Sequence, residues 1–199
     1  MKTIFKLVLM AVLVLTYSCD KETAGDPADE LTAVELKGGK DVERPISITL
    51  AGADDPDGGL ATYTGKMKHL GKIYGTVAPS NFIPDADIPG VFNLSTIGQC
   101  GDLQIPELLD VIPELLDVIN AANGDQIFSR GEFTFVFVSD TSATYSGTIY
   151  FCGGTGRFEG ASGFMEIADG VYNITGPSKF DPEVFVGEFS HTGNGMITY

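Results

Sequence analysis

The sequence predicts an all-β domain, and three observations carry that expectation. β-Branched and aromatic residues alternate with period two, most plainly in 132–138, where Phe133, Phe135 and Phe137 fall on one face and Thr134, Val136 and Val138 on the other. Clusters of Gly, Asn, Asp and Pro punctuate such runs at short intervals. Stretches with a 3.6-residue apolar period are few. Short strands at this spacing build a barrel or a sandwich.

Taken in order, Pro45-Ile46-Ser47-Ile48-Thr49-Leu50 alternates and reads as a first strand, its proline at the start, where strands admit one. Asp54-Asp55-Pro56-Asp57-Gly58-Gly59 reads as a polar turn. Its three carboxylates suit Ca²⁺ chemically, but no glutamate closes a twelve-residue frame, so no metal is assigned. Residues 61–79 form a strand, or a strand pair bent at Gly71. Pro79, Pro84 and Pro89 make 79–120 an irregular insertion. Within it the heptapeptide PELLDVI occurs twice, at Pro106–Ile112 and Pro113–Ile119. Proline at a first helical position with glutamate behind it predicts two short helical turns, or one kinked helix. The duplication is read as slippage or as an apolar lid. After a hinge at Ala122–Asp125 come strands at 132–138 and 144–152. Asp169-Gly170 signals a hairpin returning into Val171–Ile174. Val184–Phe189 is a further strand, and Gly193-Asn194-Gly195 a turn into the closing strand Met196–Tyr199.

The most glycine-rich stretch, Gly153–Gly163, lies between two strands, and Gly153, Gly154, Gly156, Gly160 and Gly163 are read as a tight structural turn. A dinucleotide site needs a helix directly afterwards, and a P-loop needs Gly-Lys-Ser/Thr. Neither is present, so no cofactor is assigned.

The N-terminus reads as a signal peptide over 1–18. Lys2 and Lys6 precede an apolar run, Leu7–Leu15, too short to span a bilayer comfortably. Leu15-Thr16-Tyr17-Ser18-Cys19 resembles the lipobox of bacterial lipoproteins, which implies that Cys19 is diacylated and becomes the mature N-terminus. An ordinary secretory leader is the alternative. Asp20-Lys21-Glu22 resembles the acidic signal that sends such lipoproteins to the cell surface. Residues 19–43 then form a lipidated acidic tether, and 44–199 the barrel domain. The expected location is the cell envelope, at the outer membrane or cell surface, with the membrane as partner. In an exported domain the remaining pair, Cys100 and Cys152, forms either a disulfide or two buried thiols.

A formal net charge of −15 excludes nucleic acid as a partner. Loss of Lys2 and Lys6 with the leader makes the mature chain two units more negative. The one basic cluster is Lys66, Lys68, His69 and Lys72, with the lysines on one face of a strand: a solvated face, or an anion-binding patch. Two histidines, His69 and His191, with no ligand spacing around them, point to neither metal nor acid–base work.

His69-Leu70-Gly71-Lys72, Ala121–Asp125 and the glycine segment 153–163 together resemble small secreted bacterial members of the allene oxide cyclase/dirigent barrel superfamily. That resemblance implies an eight-stranded, closed antiparallel barrel with an apolar lumen, here with a short helical insertion. It carries over turn residues only, and no catalytic residue. Three functions follow as expectations: a non-catalytic envelope barrel binding a small apolar ligand, an isomerase or cyclase acting on an apolar substrate in the lumen, or a structural or adhesive lipoprotein. For the enzyme, Glu132, Glu159, Glu166 and Glu188 are the candidate carboxyls, since an inward one would carry a raised pKa.

Overall fold

The computed structural model describes residues 42–199; the expected signal peptide, Cys19 and nearly all of the expected tether lie outside the described residues. Ten strands form one antiparallel sheet: β1 (Glu43–Ala53), β2 (Ala61–Met67), β3 (Gly71–Val77), β4 (Ser80–Pro84), β5 (Val91–Thr96), β6 (Asp117–Asn120), β7 (Gln126–Ser139), β8 (Ser142–Gly154), β9 (Ser162–Pro177) and β10 (Phe185–Thr198). Eight of them close a ring in the order β7-β6-β3-β2-β1-β10-β9-β8, and the β8–β7 pairing completes it. The all-β, eight-stranded closed barrel is therefore present. The hairpin β4–β5 stands outside the ring, hung on the second half of β7.

Alternation decides what fills the ring. Ile46, Ile48 and Leu50 of β1, Tyr63 and Met67 of β2, and Met165 and Ile167 of β9 point inward and are buried, while their sequence neighbours are mostly exposed. An eight-stranded barrel is just wide enough for side chains to fill it, and these residues make one continuous core. The glycine-rich turn closes one end. From β8 the chain passes through a 3-10 turn, Gly156–Phe158, into β9, and Phe158 is fully buried with its ring edge-on to Tyr199, centroids 4.8 Å apart.

Four expectations are corrected. The second PELLDVI copy is not a helical turn throughout: α1 (Ile112–Leu115) covers its start, and its last three residues enter β6, a strand of the ring. The first copy is a 3-10 turn, Pro106–Val111. Identical heptapeptides thus take different forms because the second has β3 and β7 to pair with. The supposed insertion at 79–120 likewise contains β4, β5 and β6. Asp169-Gly170 is not a hairpin but a bulge within a continuous β9, where both neighbours skip register. The Asp169 carboxylate accepts hydrogen bonds from the Thr192 backbone N–H (3.1 Å) and hydroxyl (2.7 Å), taking up a donor freed by the irregularity. Gly193-Asn194-Gly195 likewise lies inside β10, paired with Ile167, Glu166 and Met165.

Cys100 and Cys152 form a disulfide, tying the 3-10 turn Cys100–Gln104 to β8. Within the glycine turn two positions differ in kind. A side chain at Gly163 (φ +128) would strike the Met196 carbonyl, whereas Gly160 (φ +76) has open space and needs only its backbone conformation. Gly163→Ala is expected to cost about 3 kcal/mol or more and Gly160→Ala about 1 kcal/mol. Chemical denaturation checks this, and equal losses would contradict the close approach.

Candidate functional site

The end opposite Phe158 is where β1, β3, β7 and β9 finish, and it is built differently. β7 outruns the ring: its first half pairs with β6, its second half, from Glu132, with β5. The β4–β5 hairpin therefore extends the inner face of the barrel past its rim. Alternation puts Phe133, Phe135 and Phe137 on that face, with Phe82 and Phe92 beside them. The result is a continuous aromatic wall. The Phe135 ring stacks on Tyr145 (centroids 4.7 Å) and meets Phe82 edge-on (5.8 Å). Phe82 stacks on Phe92 (4.6 Å), and Phe92 meets Phe137 (5.3 Å). At the deep end Tyr145 is buried, and at the outer end Phe82 is 45% exposed.

Polar groups are set into this wall. The Tyr172 hydroxyl donates to the Asp54 carboxylate, whose same oxygen accepts the Gly187 N–H at 2.9 Å. Burial raises the Tyr172 phenol well above its ordinary range, and the hydrogen bond to Asp54 adds to that. Deeper, the Tyr145 hydroxyl lies 2.8 Å from His191 Nδ1 and 3.3 Å from the Ser190 carbonyl. If the phenol proton goes to Ser190, the imidazole N–H is on Nδ1; if it goes to Nδ1, the N–H is on Nε2. Nε2 has no partner either way. Burial pushes His191 down to about 4, so the ring is neutral at physiological pH.

A third group is Asp117 of β6, buried with one oxygen accepting the Ala78 N–H at 2.8 Å. That N–H belongs to the link between β3 and β4, where ladder pairing with β6 has ended. Burial raises the Asp117 carboxyl to about 7, against the lowering effect of the Ala78 hydrogen bond, and burial together with the Asp117 charge raises the Tyr63 phenol. An inward carboxyl with a raised pKa was expected of a glutamate. Instead Glu132, Glu159, Glu166 and Glu188 are all exposed, on outer-face positions or in the turn. Asp117 went unnoticed because it sits in the repeat read as helical; its twin, Asp110, is exposed.

The remaining candidates stay apart. His69 is exposed at the β2–β3 hairpin with φ +71, and His191 is inside the barrel. Among the described residues no group of three or more His, Cys, Asp or Glu is placed to hold a metal. Asp55 organises its own turn by accepting the Asp57 N–H at 2.8 Å. The glycine turn contributes a plug, not a ligand cradle. Two surface clefts lie on the sheet: one of about 540 Å³ around Gly52, Thr62 and Glu188, and one of about 440 Å³ between β1, β2 and β3. No family model, no characterised protein and no solved structure matches the chain.

Buried His191 and Asp117 act on stability with opposite sign. His191 is depressed in the fold from 6.5, so its contribution is complete above about 6.5 and is lost as pH falls toward 4. Asp117 is raised from 3.8, so its contribution is complete below about 3.8 and is lost as pH rises through 7. Asp117→Asn is expected to raise stability at pH 7.5 relative to pH 4.5 by up to about 3 kcal/mol against the parent. His191→Gln should shift the same difference the other way by up to about 3 kcal/mol. Denaturant titrations at the two pH values check both signs.

Proposed function

We propose that this chain is an exported lipoprotein, anchored in the cell envelope through lipid on Cys19, whose barrel binds a small apolar ligand at its aromatic mouth without transforming it. The observation that carries the reading is the aromatic wall running from buried Tyr145 to half-exposed Phe82. Partly exposed aromatic rings at one end of the barrel suit a flat, uncharged ring system.

Binding is favoured over catalysis by the placement of the carboxyls. An isomerase or cyclase needs an acid or base within reach of the bound substrate. The four candidate glutamates are exposed away from the lumen, and Asp117 is engaged with the Ala78 N–H behind the packed core. The filled lumen also favours a second, purely structural reading. The two differ in whether anything occupies the mouth.

Native mass spectrometry of the full-length protein from its own cells is expected to find a retained apolar molecule. An uncharged naphthalene dye should bind the emptied protein, and Phe82→Ala with Phe92→Ala should weaken it roughly tenfold or more, which is about 1.4 kcal/mol. Glu166→Gln and Glu188→Gln should leave it unchanged. Absence of both retained ligand and dye binding would leave the structural reading. Metabolic labelling with palmitate, lost in Cys19→Ala, tests the anchor separately.

A further inference from the structure

Among the described residues Arg130, Arg157 and Lys179 each pair with a carboxylate, whereas Arg44 makes no ion pair and its buried Nε has no hydrogen-bond partner. Arg130 pairs with Glu132 at 2.6 Å, Lys179 with Asp57 at 3.2 Å, and Arg157 with Asp125 at 3.7 Å. The Arg44 guanidinium sits over the Tyr199 ring, 5.2 Å from its centroid. Lys66, Lys68 and Lys72 likewise make no ion pair with any described residue, in a chain whose acidic residues number 27 against 12 basic ones.

These three are also together. In the β2–β3 ladder Lys66 stands directly opposite Lys72, and across the other edge of β2 it faces Thr49. The Lys68 N–H donates to the Ser47 carbonyl at 2.9 Å, which brings the third lysine to the same strip. Ile48 and Met67 point into the core, so Ser47, Thr49, Lys66 and Lys72 are on the outer face and exposed. With Lys68 they line the 440 Å³ cleft between the three strands. Like charges directly opposite on an antiparallel pair destabilise it. Here no carboxylate among the described residues lies within ion-pair distance to offset the repulsion.

We propose that this cleft is a binding site for a phosphate group. Ammonium groups act as strong point charges toward phosphate, and three of them around one cleft match a dianion, with the hydroxyls of Ser47 and Thr49 as additional hydrogen-bond donors. The strongly negative remainder of the chain repels an extended polyanion, so the ligand is a single phosphate, carried by a small molecule or by a lipid headgroup. This site is on the outside of the barrel and does not depend on what the mouth binds.

The test uses the full-length protein with inorganic phosphate as the first probe. Phosphate is expected to raise the midpoint of thermal unfolding, and ³¹P line broadening should report saturable binding. Lys66→Gln with Lys72→Gln should weaken that binding roughly tenfold or more, while Lys179→Gln leaves it unchanged. Without phosphate the double variant should melt higher than the parent, because the cross-strand repulsion is gone; a merely solvated lysine face would share that rise but show no saturable phosphate binding. Phosphatidylglycerol and phosphatidylcholine vesicles then separate the sources. Extra retention on phosphatidylglycerol that the double variant loses identifies a headgroup, and binding of free phosphate without that difference identifies a soluble phosphorylated ligand. No saturable phosphate binding by the parent, or equal binding by the double variant, overturns the proposal.

Discussion

The structure depends on one strand being longer than the ring it closes. β7 must pair with β8 along nearly its whole length to complete the barrel, yet on its other edge β6 covers only Gln126–Ser129. An unpaired ladder beyond that point would leave backbone donors and acceptors without partners. β5 takes up the remainder, and β4 pairs with β5 in turn. The hairpin thus satisfies the backbone of β7 and, by the same pairing, carries the inner face outward as an aromatic wall.

The two ends of the barrel then differ for physical reasons. At one, Phe158 and Tyr199 fill the opening and a glycine turn lets the strands approach closely enough to seal it. At the other, the aromatic rings of β4, β5 and β7 pack on one another and Phe82 stays 45% exposed. The interior admits polar groups only when they are paired or neutral. Asp117 is paired with a backbone N–H at the place where β3 leaves the ring, and burial favours its protonated form. His191 is neutral and bound to Tyr145 on one side only. Each is adapted to a dry surrounding, but the histidine belongs to the wall of the mouth and the aspartate to the junction behind it.

Most of the architecture was legible because side-chain alternation reports burial directly: the three phenylalanines of β7 are on one face, as their spacing requires. Local signals failed where tertiary pairing overrode them. The second PELLDVI copy reads as a helix start in isolation and becomes a strand because two ring neighbours need it. Asp169-Gly170 and Gly193-Asn194-Gly195 carry hairpin chemistry, but in a strongly curved sheet the same residues serve as a bulge and as close-packed strand positions. The lysine strip was foreseen as a shared face. That Lys66 meets Lys72, and that neither meets a carboxylate, required the register. His191 and Asp117 carried no pattern to mark them, since burial of a single polar residue has no periodic signature.

The central claim is that a barrel sealed at one end presents its ligand surface at the other. Amide chemical-shift mapping of the full-length protein with an uncharged naphthalene probe tests this most directly. The account predicts perturbations concentrated in β4, β5 and the second half of β7, with the Gly153–Gly163 turn unmoved. Perturbations centred on that turn, or spread evenly over the barrel, would contradict it.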